Sequence, residues 1–89
     1  MKIFKYKIEV KDEFCIEMSR GSFILDLQVQ GNVPCMWVAT NDVGKTIKRK
    51  FKTFNTGEDL PFNSLPNDDY EYIGSYQLEG YVFHVFEQI

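Results

Sequence analysis

The stretch from Tyr70 to Phe86 carries the longest strand pattern in the chain and restricts the possible folds most. Its first half repeats large side chains on one period-two face, at Tyr70, Tyr72, Tyr76 and Leu78. After Glu79-Gly80 both faces are apolar, with Tyr81, Phe83 and Val85 on one and Val82, His84 and Phe86 on the other. The pattern predicts a β-hairpin whose second strand needs a cover on both faces, from a second layer of the chain or from another subunit.

Five further segments alternate apolar and polar residues as half-buried strands do. They span residues 3–10, 14–18, 23–30, 33–40 and 45–54, and a turn is predicted at 41–44. In the first and third segments the predicted inward residues are Phe4, Tyr6, Ile8, Val10, Phe23, Leu25, Leu27 and Val29. Segment 33–40 is apolar on both faces. We therefore expect one all-β domain over residues 1–89, a small antiparallel sandwich or partly open barrel of about six to seven strands.

The small size of the chain favours association of copies. A chain of 89 residues buries only about 60 to 65% of the surface that its unfolded form exposes, and two strands with two apolar faces are hard to cover within it. The hairpin is therefore the predicted contact of a homo-oligomer. The predicted interface residues are Tyr72, Tyr76, Tyr81, Phe83, His84 and Phe86. The net charge of −3 argues against extended nucleic-acid binding, because such domains usually carry positive charge.

Cys15 and Cys35 are the only cysteines, and His84 is the only histidine. They cannot supply a four-ligand zinc site, so no metal and no cofactor are expected. Lysines alternate with apolar residues at the start of the chain, unlike a signal peptide, and no segment is apolar over the length of a membrane span. We expect a cytoplasmic protein with free thiols and no membrane association. A disulfide between the two cysteines, which requires an oxidising compartment, is the alternative.

The predicted strand 45–54 contains the strongest functional signal, a run of five positive side chains. Lys48, Lys50 and Lys52 share one face of the strand. Arg49 lies opposite, among apolar positions, where it needs an anion or a carboxylate. These four side chains and the backbone of Thr56-Gly57 form a candidate phosphate site. Alternatively, the lysines protect an exposed edge strand from pairing with other chains, and Thr56-Gly57 only ends the strand.

Two other features carry open interpretations. His84 lies between apolar residues, and this position favours a hydrogen-bonded core or interface histidine over a catalytic one. Because no acid/base pair, metal set or nucleophile constellation is visible elsewhere, the sequence predicts no enzyme. The segment 58–69 has no period and contains Leu60, Phe62 and Leu65. It is a functional or interaction loop, or a loop that its apolar residues pin to the core.

Several segments together resemble a family of short, functionally uncharacterised phage and prophage proteins. They are residues 2–10 with 14–18, residues 27–30 with 34–37, Thr56-Gly57, and residues 72–74 with 82–87. The match spans nearly the whole chain and consists of strand cores and turns, without a catalytic residue set. The resemblance implies a viral or prophage origin and a place in the host-cell cytoplasm.

Two functions from different classes are compatible with these features. The first is a small non-catalytic binding protein that counters host defence, by sequestering a phosphorylated, nucleotide-like signal or by blocking a host protein. The basic strand and the irregular segment 58–69 support it. The alternative is a structural or assembly protein of a phage that has no ligand. In that case the apolar faces and tyrosines build the contacts, and the lysines only guard an edge.

Overall fold

The computed structural model describes residues 1–41 and 44–89, so the predicted turn at 41–44 lies partly outside the described residues. Within them the chain forms seven strands and no helix, which confirms the predicted all-β fold. The strands are β1 (Lys2–Lys7), β2 (Glu13–Ser19), β3 (Phe23–Gln30), β4 (Val33–Thr40), β5 (Thr46–Asn55), β6 (Tyr70–Leu78) and β7 (Tyr81–Gln88). They pair antiparallel in a three-stranded sheet, β1-β4-β3, and a four-stranded sheet, β2-β5-β7-β6. The two sheets form an open sandwich and not a closed barrel.

The core lies between the inner faces of the two sheets. Met36 and Val38 of β4 meet Phe51 of β5 and Val85 of β7 there, and all four are almost completely buried. Phe14 of β2 stacks on Phe51 with 5.1 Å between the ring centroids. A side chain of this kind stabilises a fold by about 1.5 to 3 kcal/mol when it leaves water. The central strands of both sheets therefore anchor the sandwich.

Two of the predicted inward faces are wrong in part. β1 ends at Lys7, and Val10 lies beyond it on the surface. In β3 a bulge between Ile24 and Asp26 inserts one extra residue into the pairing with β4. Because one extra residue exchanges the two faces of a strand, Phe23 and Leu25 are 62% and 53% exposed while Leu27 is buried.

The hairpin of β6 and β7 turns at Glu79-Gly80, as predicted. Both residues have positive φ angles, 52° and 84°, which a tight hairpin turn requires. A second bulge, between Tyr72 and Gly74, divides the predicted face of β6. Tyr72 lies on the outer face of the sheet, whereas Tyr76 points into the core and is 5% exposed.

The two strands with two apolar faces are both central strands. β4 lies between β1 and β3, and β7 lies between β5 and β6. The small outward residues of β4, Cys35 and Ala39, are buried between the flanking strands. The outer face of β7 is covered in part by the segment 58–69, whose Phe62 packs on Phe86, while Val82 at the start of the strand is 39% exposed. The same chain thus supplies the cover at the Phe86 end of β7.

Candidate ligand-binding site

A pocket lies on the outer face of the four-stranded sheet, the face turned away from the core. Its floor forms where β5, β7 and β6 run side by side. The pairing places Phe54 opposite His84 and His84 opposite Ser75. Further along β7, Phe86 lies opposite Tyr72. Since side chains alternate between the faces of a strand, this register brings three aromatic rings, an imidazole and a hydroxyl to one patch of the sheet.

The segment 58–69 forms the roof of the pocket. Phe62 holds it in place, because its ring centroid lies 5.1 Å from that of Tyr70 and 5.5 Å from that of Phe86. Leu60 and Leu65 line the space beneath the roof and stay partly exposed. Both interpretations of this segment therefore apply: one aromatic residue pins it to the sheet, and two leucines form a pocket wall.

The space between sheet and roof measures about 520 Å³. This volume lies within the range of small-molecule sites, about 300 to 1,000 Å³. Its walls are mainly apolar and include the rings of Phe54, Tyr72 and Phe86. Among the lining residues that the structure describes, Glu58 alone carries a permanent charge, and its Oε1 accepts a hydrogen bond from the Asn55 amide. The pocket is thus suited to a flat, mainly apolar group.

A chain of four polar side chains crosses the pocket floor. The Thr56 Oγ1 lies 2.7 Å from His84 Nε2, and the Ser75 Oγ lies 2.7 Å from His84 Nδ1. The Tyr72 hydroxyl continues the chain at 2.6 Å from Ser75 Oγ. A neutral imidazole donates at one nitrogen and accepts at the other, so the proton directions along the whole chain can reverse together. This chain can offer either a donor or an acceptor to a ligand in the pocket.

Residues that the sequence assigns to two different sites line the same pocket. Thr56 and Gly57 were predicted as ligand contacts, and Tyr72, His84 and Phe86 as interface residues; all five line it. Ser75 was missed, since the simple period of β6 gives no indication of the bulge that turns its hydroxyl outward. A glycine inside a strand pattern, here Gly74, is the one local signal for such a bulge.

Thr56 and Gly57 stand at the end of β5, next to the pocket mouth. Gly57 has a φ angle of 91°, in the region that glycine adopts without strain. The Glu58 amide donates to the Asn55 carbonyl at 3.0 Å and closes the turn. The turn therefore ends the strand and at the same time carries Thr56 to His84.

The three lysines of β5 lie on the same outer face as the pocket. β5 is a central strand between β2 and β7. From Lys50 onward it is paired on both sides, whereas Lys48 is paired with β2 alone, so protection of an exposed edge does not explain Lys50 and Lys52. Lys48 lies opposite Glu17 of β2, and Lys50 lies between uncharged neighbours on β2 and β7. Lys50, which has no acidic residue opposite it on either neighbouring strand, is therefore the lysine of this row that remains available to an anion.

Lys52 is the lysine nearest to the pocket, since it lies opposite Phe86. Its amino group lies 5.8 Å from the centroid of the Tyr70 ring and 3.4 Å from Glu13 Oε1. Tyr70, as the larger cause, and Glu13 raise the pKa of Lys52 above its ordinary value. Lys52 therefore stays protonated at the rim of the roof.

Arg49 lies on the opposite, inner face and takes no part in the pocket. Its Nε and Nη2 donate to the two carboxylate oxygens of Glu87 at 2.6 and 2.7 Å. Its Nη1 donates to the carbonyl of Ser22 at 2.7 Å. The hydrogen bonds with Glu87 raise the pKa of Arg49 further above its ordinary value. The carboxylate that this arginine needs is thus supplied by the chain itself, and Arg49 is separated from the lysines by the sheet.

The predicted interface residues of the hairpin lie in different environments. Tyr76 and Phe86 are buried, and Phe83 packs against the core. Tyr81 is 67% exposed, and Tyr72 and His84 belong to the pocket. Three of these six side chains, those of Tyr76, Phe83 and Phe86, therefore pack within the same chain.

The described residues hold no group of three or more histidine, cysteine or acidic side chains that is arranged to bind a metal ion. Cys15 is exposed, Cys35 is buried, and both are free thiols. No helix long and apolar enough to cross a membrane occurs in residues 1–41 and 44–89.

Comparison with known proteins identifies a family. Neither the curated proteins nor the solved structures yielded a match to the chain. A family model, by contrast, matches residues 1–89, which is the full length of the sequence. The chain therefore belongs to the uncharacterised family described as Domain of unknown function (DUF7352).

Proposed function

We propose that the protein is a non-catalytic binding module that captures a small phosphorylated, nucleotide-like molecule. The pocket under the segment 58–69 is the observation that carries the proposal. Its volume of about 520 Å³ and its aromatic walls suit a planar ring system. The polar chain through His84 supplies hydrogen-bonding groups at the floor, which would fix the orientation of such a ring.

The row of lysines supports the phosphorylated part of the ligand. Lys52 and Phe54 share a face of β5, and alternate residues of a strand lie about 7 Å apart. A molecule whose ring system stacks on Phe54 would extend past the roof anchor Phe62 and place its phosphate near Lys52 and Lys50. A phosphate is strongly attracted by ammonium groups that are already gathered on one surface.

The resemblance to phage and prophage proteins supports a further part of the proposal, the biological setting. A module that holds a nucleotide-like signal inside a host cell would counter host defence by sequestration. Blocking of a host protein is the other route by which a small phage protein would do so. The pocket favours sequestration, because a protein-blocking surface does not require a concave apolar site of this volume.

The experiment is a calorimetric titration of the purified protein with AMP and with adenosine, which share the ring system and differ in the phosphate. We expect AMP to bind more tightly than adenosine. Ser75→Leu, which fills the pocket, should weaken both. Gln77→Leu is the matched control, because Gln77 lies on the same face of β6 outside the pocket lining. Lys50→Glu should remove the preference for AMP without affecting adenosine.

Mass spectrometry of the denatured protein tests the same proposal without a chosen probe. A phosphorylated small molecule released from the wild-type protein and not from Ser75→Leu would support it. If neither AMP nor adenosine gives heat and no small molecule is released, the binding function is wrong. If both bind with equal affinity, the pocket is a ligand site and the role of the lysines is wrong.

A further inference from the structure

The outer face of the three-stranded sheet carries large apolar residues that remain exposed. Ile3 and Phe23 are 63% and 62% exposed, and Trp37 is half-buried at the centre of the face. Single exposed apolar residues are common on protein surfaces, whereas a contiguous group on one sheet face marks an interaction site. The face lies on the opposite side of the sandwich from the ligand pocket, so its role is independent of the function proposed above.

Pairing between the strands arranges this face in two rows. In the first row Ile3 of β1, Ala39 of β4 and Phe23 of β3 lie side by side. In the second row Trp37 lies between a cation and an anion, with Lys5 on β1 and Asp26 on β3. The face therefore carries a cation, Lys5, on one edge and an anion, Asp26, on the other, and it is apolar in the middle and at one end.

A two-fold axis that lies in the contact plane along β4 would make this pattern complementary to itself. Rotation about such an axis places β1 of one copy over β3 of the other at the same height along the strands. Lys5 then faces Asp26 of the second copy, and Ile3 faces Phe23. Trp37 faces its own counterpart on the axis. Each apolar residue thus meets an apolar residue, and the dimer contains two Lys5–Asp26 pairs. Lys7, in the next row, faces Gln28 of the second copy.

We propose that this face binds a second copy of the chain in a symmetric, face-to-face dimer. A two-fold dimer buries the same patch on both subunits, and only a patch with opposite charges on its two sides fits itself in this way. In the single chain the amino group of Lys5 lies over the Trp37 ring, 5.8 Å from its centroid; in the dimer it leaves the ring for Asp26 of the second copy. Tryptophan is also the residue type that contributes most often to the centre of an interface.

The size of the face determines how tight this dimer is. Three strands about 4.8 Å apart, of which β3 and β4 have eight residues and β1 has six, give a surface of at most about 15 by 26 Å. This area is about half of the roughly 800 Å² that each partner contributes to a standard stable interface. We therefore expect a dimer that dissociates at micromolar concentrations, with both ligand pockets facing away from the contact.

Sedimentation of the full chain over a range of concentrations tests the proposal. The wild-type protein should change from monomer to dimer as its concentration rises. Lys5→Glu and Asp26→Lys should each weaken the dimer by about tenfold or more, because each creates two like-charge contacts. A mixture of the two variants should form heterodimers, since every cross-contact then joins opposite charges again. Phe23→Ser should remove the dimer.

Tyr81→Ser is the matched control, because Tyr81 is equally exposed but belongs to the hairpin. It should leave the dimer unchanged. The proposal is overturned if the wild-type protein stays monomeric at all concentrations, or if its dimer is insensitive to Lys5→Glu, Asp26→Lys and Phe23→Ser. It is also overturned if the two charge variants fail to associate when mixed, provided that each gives the wild-type circular dichroism spectrum and so is folded.

Discussion

Arg49 and Glu87 form an ion pair through two hydrogen bonds on the inner face of the four-stranded sheet, at 2.6 and 2.7 Å. The guanidinium also donates to the Ser22 carbonyl in the turn between β2 and β3. Both side chains are mostly withdrawn from water, with 18% and 9% of their surfaces exposed. The pair therefore connects β5, β7 and the point at which the chain passes from one sheet to the other.

Removal of one partner should destabilise the fold strongly. Glu87→Gln leaves the mostly buried Arg49 without its hydrogen-bonded carboxylate and with only the weaker attraction of Glu71, and breaking such a pair typically costs about 3 to 5 kcal/mol. The double variant Arg49→Met/Glu87→Leu should recover most of this loss, since well-packed apolar residues often replace a buried ion pair without penalty. Urea denaturation measures both.

The exposed ion pair of Lys11 and Glu9, at 2.8 Å, is the control for that measurement. Lys11→Gln should leave the free energy of unfolding nearly unchanged, because exposed pairs contribute little. Equal effects of Glu87→Gln and Lys11→Gln would show that the burial of the Arg49 pair is unimportant for stability.

Tyr76→Phe should stabilise the protein. The Tyr76 hydroxyl is buried without a hydrogen-bond partner among the described residues, and a buried polar group without a partner costs about 1 to 3 kcal/mol. Its ring contact with Phe83, at 5.2 Å between centroids, does not depend on the hydroxyl. A rise of about 1 kcal/mol in the free energy of unfolding is expected; a loss would mean that the hydroxyl has a partner in solution.

The same tyrosine predicts a dependence of stability on alkaline pH. Burial raises the pKa of Tyr76 above its ordinary value of 10.0, so the unfolded chain releases this proton before the folded chain does. Between the two values the unfolded state binds fewer protons, and stability falls as the pH rises. Below the ordinary value the group has no effect. Thermal melts between pH 9 and pH 11 should therefore show a smaller loss for Tyr76→Phe than for the wild-type protein.

Gly74→Ala should destabilise the contact between the two sheets. A Cβ atom at Gly74 would lie 3.2 Å from the Leu27 Cβ, which is tighter than ordinary van der Waals contact. We expect a loss of about 1 kcal/mol, at the low end of the cost of overpacking a core. The loss should shrink when Leu27→Gly, which removes this Cβ atom, is also present, and a double-mutant cycle measures the coupling. If the losses of the two single variants add up fully in the double variant, the cost of Gly74→Ala arises from the backbone of the bulge and not from contact with Leu27.

Phe62→Ala should release the roof of the pocket while the sandwich stays folded. The ring contacts of Phe62 with Tyr70 and Phe86 are the aromatic contacts that hold the segment 58–69 to the sheet. Limited proteolysis with endoproteinase Asp-N, which cuts before Asp59, Asp68 and Asp69 in both variants, should cut this segment faster in Phe62→Ala than in Leu65→Ala, whose side chain is exposed and packs less. Equal rates would show that the roof is held by other contacts.

Local patterns in the sequence predicted the strands and turns but not their arrangement in space. Alternation located the seven strands, and Glu79-Gly80 located the hairpin turn. The bulge beside Gly74 was not expected, because a bulge changes the face of every later residue without changing the average pattern. For that reason Ser75 was missed and Tyr76 was placed on the face of Tyr72.

The partners of charged residues depend on strand order, which no local pattern contains. The apolar register of Arg49 indicated that it needs an anion or a carboxylate, but Glu87 lies 38 residues further along the chain. The order β2-β5-β7-β6 makes β5 a central strand and excludes edge protection for Lys50 and Lys52, which are paired on both sides. Likewise, the segment 58–69, whose Phe62 covers Phe86 on β7, has no periodic pattern from which its position can be predicted.

The pocket has its floor on a sheet and its roof on one loop, so amino-acid substitutions in these two parts have different consequences. Substitutions in the strands alter the core and are limited by folding. Substitutions at Leu60 and Leu65 alter only the roof, whose attachment depends on Phe62. Related chains could therefore diverge in ligand preference through a handful of roof positions while their sandwich stays the same.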